Sequence, residues 1–317
     1  MSLALATKHP AKLPVIGSHH QLWAQTIGCR VPRGSQSGRV DAVFERACNV
    51  ALYSGELVVM LGCRAGNVAH GVRLTHDYRF DQGLRRGMPV RLGPDRIAFG
   101  NGHLTGLLSA ARIWTPALSP GMFEWSDHSR SALSQVRDLL RDYAASSGSE
   151  FLAVVLDLNR SETLLAAMVL GVLPRLAMAS RSHDCNETLS LLSQLIGLGP
   201  GLTPAGDDFI IGWLAGLALS AKAPAQLSFL QAMCAGIENL TQATTSVSRA
   251  HLHDACAKMF SERLSDLCVA ISKGEPTAML ESLVAAQVAV GASSGADAAA
   301  GLMFALPPCG PIESEFA

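Results

Sequence analysis

The stretch Gly197-Leu-Gly-Pro-Gly-Leu-Thr-Pro-Ala-Gly-Asp-Asp-Phe-Ile-Ile-Gly212 joins glycines, a hydroxyl and two carboxylates in one short run. Gly197, Gly199 and Gly201 stand at every second position. Glycine lets a backbone turn sharply and bring its N–H groups close to a ligand. Thr203 before Pro204 predicts a helix start, with Thr as the N-cap and Pro in the first helical position. Such a start carries unpaired N–H groups and partial positive charge. Gly199, Gly201, Leu202, Thr203 and Gly206 are therefore candidates for holding a phosphate or carboxylate. Asp207 and Asp208, just inside the start, could act as acid or base, or bind a hard cation such as Mg²⁺. A purely structural account competes. Asp in a first helical turn is favoured by the helix dipole, by about 0.3–1 kcal/mol, and glycines permit tight packing. Four glycines within ten residues nevertheless cost conformational entropy that an ordinary link between helices does not require. No Lys follows the glycines, which excludes a Walker A loop.

Gly291-Ala-Ser-Ser-Gly-Ala-Asp-Ala-Ala-Ala-Gly301 echoes this run. Gly206, Asp208 and Gly212 have the same spacing as Gly295, Asp297 and Gly301, and a hydroxyl precedes each set, Thr203 in one and Ser294 in the other. Asp and the later Gly are four apart, hence on one helical face. The expectation is that two helix starts meet and that Asp207, Asp208 and Asp297 converge on one pocket, as catalytic groups or as ligands of a metal. Ser294 and Gly295 then join the anion-binding candidates. A capping box of Ser294 with Asp297 is the structural alternative. Between the two copies, Thr244, Thr245 and Ser248 stand before a helix and could supply donors to an anion, or could simply cap it. His251 and His253 are two apart and diverge on a helix, so they make a weak metal pair, and a surface position suits them better.

The elements that must position these residues differ between the two halves of the chain. Residues 57–61, 68–74, 89–92 and 96–99 read as strands bounded by turn residues. Apolar positions in 40–52 recur at helical spacing and predict a helix, with Asn49 buried in it as a structural or ligand-facing amide. Residues 129–144 form an amphipathic helix, and 151–158 fit either a buried strand or a helix start. From about residue 161 helices follow at 162–173, 187–196, 204–221, 225–240, 248–272, 277–290 and 294–306. The expected fold is α+β, a β-rich mixed region over 1–160 and an all-helical region over 161–317 that carries the Gly-rich turns. The tail 307–317 is expected to be loosely held.

Composition narrows the function classes. Apolar residues make up 49% and charged residues 16% of 317, which suits a well-buried globular chain. A formal net charge of −1 leaves no electrostatic footprint for nucleic acid or an anionic membrane. No uninterrupted apolar stretch has the ~18–20 residues of a membrane helix, and residues 1–12 lack the apolar core of a signal peptide. Eight cysteines form no C-x-x-C pair, which points to buried, reduced thiols and a cytoplasmic location.

Three runs together, 197–209, 244–248 and 293–297 followed by Gly301, resemble the AllH-like family, and the 38–52 stretch with Asn49 is similar to it as well. The resemblance implies a subunit linked to oxamate carbamoyltransferase, in anaerobic allantoin breakdown. It implies an FdrA-type partner subunit and phosphorolysis of a carbamoyl amide to carbamoyl phosphate, or the reverse. Donors at a Gly-rich helix start suit that chemistry, because acyl transfer develops negative charge. Two other readings stay open. One is a Mg²⁺-dependent hydrolase resembling ADP-ribosylglycohydrolases, with Thr203, Asp207, Asp208 and Asp297 as ligands. The other is a non-catalytic subunit that binds an anion or shapes an interface.

Overall fold

The computed structural model describes residues 20–306 apart from 117, 120, 148 and 157–162. The expectations for residues 1–12, for a boundary at 160/161 and for the tail lie outside the described residues. Strands come first: β1 (His20–Gly28), β2 (Gln36–Val43), β3 (Ala47–Leu52), β4 (Leu57–Leu61), β5 (Gly71–Leu74), β6 (Pro89–Leu92), β7 (Arg96–Phe99), β8 (Leu104–Leu107) and β9 (Arg112–Trp114), with one short helix, α1 (Phe80–Gly83), between β5 and β6. The sheet runs β5-β4-β3-β2-β6-β7-β8-β1, and β1 pairs back to β5, so eight strands close into a barrel. The N-terminal half of β1 pairs with β8 and its C-terminal half with β9. The β1–β8, β1–β9 and β4–β5 pairs are parallel and the others antiparallel. Val40, Cys48, Val50, Met60, Val72 and Phe99 fill the interior. Closure leaves no long edge exposed.

Residues 40–52, expected as a helix, form the β2–β3 hairpin instead, with Ala42 opposite Asn49 and a register shift between Val40 and Ala42. The apolar residues at 40, 43, 44, 47, 50 and 51 match a helical period by coincidence. Strand alternation is what the barrel uses, because Cys48, Val50 and Leu52 point inward.

Helices follow: α2 (Asp127–Ser147), α3 (Glu150–Val155), α4 (Leu164–Arg181), α5 (Cys185–Leu195), α6 (Ala205–Ser220), α7 (Pro224–Leu240), α8 (Ser246–Cys256), α9 (Glu262–Lys273), α10 (Thr277–Val288) and α11 (Ser294–Ala305). The fold is α+β, a strand-rich region followed by an all-helical one. Phe209, Ile210, Trp213 and Leu214 put α6 at the centre of the helical core, against Leu302 and Met303 of α11. The single helix expected over 248–272 is two. Lys258 takes φ +62 and ends the first, and Ser261 caps the second by accepting from Leu264 N–H at 3.4 Å. α4 runs through Pro174 to Arg181, past the expected end at 173. It is long and apolar enough, by length and composition, to cross a membrane, contrary to the reading that no stretch is. Pro174 and Arg175 interrupt the run and hide it. Val169, Val172, Leu173 and Leu176 bury one face of α4 in the helical core, and Arg175 bonds Glu187 of α5 at 2.6 Å.

The barrel is fastened to the helices. Leu57 and Val59 of β4 pack on Val247 of α8. Glu262 at the start of α9 accepts from Asn67 N–H at 2.9 Å and from its side-chain amide at 3.0 Å. His70, just before β5, sits 2.5 Å from Asp254 of α8 through Nδ1, and both are buried.

Candidate functional site

α6 and α11 approach until their backbones touch. A Cβ on Gly212 would lie 1.7 Å from the carbonyl oxygen of Ala298, and one on Gly301 would lie 1.9 Å from that of Phe209. The contact is reciprocal, because Ala298 holds in α11 the place that Phe209 holds in α6. The repeated sequence pattern is thus a repeated structure about a local two-fold. Gly206 and Gly295 obey the same symmetry. Their missing side chains admit the carbonyls of Leu195 and Gln287, at the ends of the preceding helices. These two glycines therefore serve packing, and both are buried.

The helix starts meet through their hydroxyls, with Thr203 Oγ1 2.7 Å from Ser294 Oγ. Thr203 is not the N-cap that the sequence predicts. Pro204 is, with no side-chain cap, and its carbonyl accepts from Asp207 and Asp208 N–H at 3.0 and 3.2 Å. The Thr203 hydroxyl is taken by the other helix start instead. Nor is there a capping box at Ser294, because α11 is capped at Ser293 and Asp297 points into the core.

The three aspartates are all buried in the first turns of α6 and α11, in unequal roles. Asp207 is fully buried with both oxygens engaged: Oδ1 accepts from Gly197 N–H at 2.9 Å, and Oδ2 accepts from the Thr244 hydroxyl. It braces the Gly-rich turn to the start of α8. Burial raises its pKa, and the bonds from Thr244 and Gly197 oppose the rise. Asp208 is 7% exposed and its Oδ2 has no partner. Burial pushes its pKa well above the usual range, the charges of Asp297 and Asp207 push the same way, and the hydroxyls of Ser294 and Thr203 resist. Asp297 is 1% exposed. Its Oδ1 accepts from Ser149 Oγ at 2.9 Å and its Oδ2 has no partner. Burial first, and the nearby Glu150, raise its pKa to about 6, against bonds from Ser149 and Ser293.

Among the described residues, no group of three or more His, Cys, Asp or Glu side chains stands close enough to hold a metal ion.

The first turn of α6 spends its N–H groups inside the chain, Gly206 N–H going to Leu198 at 2.9 Å. The unspent donors lie one turn earlier. The N–H groups of Gly199, Gly201, Leu202 and Thr203 meet no backbone acceptor among the described residues. Gly199 and Gly201 take φ +114 and +98, and nothing lies within 4 Å of a Cβ placed on Gly201. A run of free N–H groups with alternating backbone sign is an anion-binding concavity. Thr245, the N-cap of α8, pins the loop by donating to Leu202 O at 2.5 Å while accepting from Ser248 N–H at 3.0 Å. Ser248 Oγ is buried and makes no hydrogen bond of its own.

Asn49 is buried on β3, outside this cluster. Its register partners are Ala42 and Val59, and Val59 packs on α8 beside Ser248, so the outer row of the sheet leads toward the site. His251 is half-buried rather than on the open surface. Its ring centroid is 4.6 Å from that of His70, and burial holds its pKa down at about 3. Ser149 and Ser293 escaped the sequence. Ser149 was legible as the cap of α3, but its bond to Asp297 crosses 148 residues. A cavity of about 820 Å³ lies at the other end of α6 against Leu217, Ser220 and Lys222, and none of the site residues lines it.

No solved structure matches the chain. Residues 195–306 match the family model described as oxamate carbamoyltransferase subunit AllH, and residues 21–113 match the AllH family N-terminal domain. The matches take in the barrel and the helices that carry the site, and the chain belongs to the AllH family.

Proposed function

We propose that this chain is a carbamoyltransferase subunit whose site at the paired starts of α6 and α11 works on a carbamoyl amide, and that it acts with partner subunits. The family is described as a subunit of oxamate carbamoyltransferase, and a subunit has partners. The observation that carries the site is the pair Asp208 and Asp297, each buried with one unpartnered oxygen beside the Thr203–Ser294 bridge.

In the reaction, a phosphate oxygen attacks the carbamoyl carbon, the bond from that carbon to the oxamate nitrogen breaks, and the nitrogen takes a proton. Carbamoyl phosphate and oxamate result. Asp208, whose burial favours the protonated form, donates a hydrogen bond to the carbamoyl oxygen as negative charge develops there. A neutral acid kept in an apolar site is suited to that task. Asp297, whose pKa of about 6 lies near the working range, delivers the proton to the leaving nitrogen and recovers it in the reverse direction. The free N–H groups of residues 199–203 hold the phosphate.

The test is carbamoyl transfer by the complex reconstituted with its partner subunits, using Asp208→Asn and Asp297→Asn. Each variant is expected to lose about 10²–10⁴-fold in kcat, the scale of one acid–base or oxyanion group. Full turnover by a folded Asp208→Asn complex rejects the assignment.

A further inference from the structure

The proposed site has an electrostatic deficit. Three carboxyls stand on its helical side, and among the described residues their hydrogen-bond partners are hydroxyls and backbone N–H groups, with no Lys or Arg. Phosphate, carbamoyl phosphate and oxamate are all anions. An anion leaving water needs a cation to offset its own charge, and two cationic side chains line the cleft beside the Gly-rich loop. Leu202 forms one wall of a cleft of about 640 Å³, and across it lie Ala42 and Val43 of β2 with Arg85 and Arg86 from the turn after α1.

That turn is held in place. Leu84 anchors it in the barrel core. Gly87 N–H donates to Val40 O at 2.8 Å, and Met88 N–H donates to Arg85 O at 3.1 Å. Arg85 Nη1 donates to the carbonyls of Leu84 and Asp81 at 2.9 and 3.2 Å, which fixes the guanidinium and leaves its other N–H groups facing outward. Arg86 has one distant carboxylate, Asp41 at 3.9 Å, and is 83% exposed. The other acid of the cleft, Asp81, is already bonded by Arg79 at 2.9 and 3.1 Å. Among the described residues Arg85 therefore has no carboxylate partner and Arg86 only the long pair with Asp41, and a guanidinium fork matches carboxylate and phosphate geometry.

We propose that Arg85 and Arg86 form the anion-recognition wall of the site, opposite the free N–H groups of residues 199–203. The ligand is then an acyl or amide compound with a separate carboxylate or phosphate. The neutral end goes to Asp208 and Asp297, and the charged end goes to the barrel. This rests on the function proposed above, and it makes the site bipartite, so the barrel is part of the binding machinery.

The experiment is calorimetric titration of the full chain with inorganic phosphate and, separately, with oxamate. The proteins are the parent and Arg85→Gln/Arg86→Gln. Both arginines are exposed, so equal melting temperatures will show that the double variant folds. The expected result is a Kd at least tenfold weaker in the double variant for one or both anions, with steeper salt dependence in the parent. Weakening with phosphate alone assigns the wall to phosphate, and weakening with oxamate alone assigns it to the carboxylate. Affinities in the double variant within twofold of the parent, or no binding of either anion by the parent, overturn the wall. The function reading is judged separately, by whether Asp208→Asn loses turnover in the complex.

Discussion

Ser149 Oγ donates a hydrogen bond to Asp297 Oδ1 at 2.9 Å, from the cap of α3 to the first turn of α11. The same oxygen accepts from Leu152 N–H at 3.3 Å. One side chain therefore both starts a helix and sets the charge state of a buried carboxyl. Ser149→Ala removes a donor that favours the carboxylate, so the pKa of Asp297 must rise further above 6. The pH–rate limb governed by Asp297 is expected to move upward, with a stability loss of about 1 kcal/mol from the lost cap. An unmoved limb in a variant that has lost stability would reduce Ser149 to a cap alone.

Asp297 also ties stability to pH. Its folded pKa of about 6 stands above its ordinary 3.8, so the folded chain binds this proton more tightly than the unfolded chain does. The contribution is full below 3.8, falls as pH rises through 6, and is flat above. The gap corresponds to on the order of 3 kcal/mol. Asp297→Asn removes the titration, so its melting temperature relative to the parent is expected to climb between about pH 4 and pH 6 and then level off. A difference that stays constant over that range contradicts the raised pKa.

Gly212 lies at the crossing of α6 and α11, where an added Cβ would sit 1.7 Å from a backbone oxygen. Ala is ordinarily better than Gly inside a helix by about 1 kcal/mol. Here the clash must win, because neither backbone can yield without parting the helices. Gly212→Ala is expected to destabilise by about 1–3 kcal/mol or more. Gly171→Ala, on the exposed face of α4 with nothing within 4 Å, is expected to stabilise by up to about 1 kcal/mol. Chemical denaturation of both variants checks the pair, and the same sign in both would contradict the close crossing.

The α6/α11 pairing was legible because it rests on local chemistry written twice. Glycines at matched spacing from Asp208 and Asp297 imply helices that approach closely, and Gly212 and Gly301 meet each other's helices as that spacing implies. Which carboxyl does what was not legible. Asp207 and Asp208 are neighbours in sequence, yet one is fully bonded and the other keeps a free oxygen, a difference made by Gly197, Thr244 and Ser294 from other turns. The β2–β3 hairpin was misread because a short apolar run fits two periods. Its strand state is decided by pairing with β4 and β6, which local spacing cannot express. Arg85 and Arg86 carried no signal at all. An exposed Arg pair acquires meaning only from the loop that faces it.

The junction of barrel and helices offers the sharpest case of such non-local pairing. His70 and Asp254 are 184 residues apart, 2.5 Å from each other and both buried, and Arg30 stands 3.6 Å from the other Asp254 oxygen. His70 Nε2 has no partner, so the bond to Asp254 is the ring's whole polar satisfaction among the described residues. His70→Ala leaves Asp254 with Arg30 only, and Asp254→Ala strands the ring entirely. Each is expected to cost about 1–3 kcal/mol. Because the two changes remove one interaction, the double variant should cost less than the sum by about 1 kcal/mol. Equilibrium denaturation of the four proteins measures this directly. Additive losses would mean that the pair contributes no coupling and that the barrel is held to the helices by Val247 and Glu262 without it.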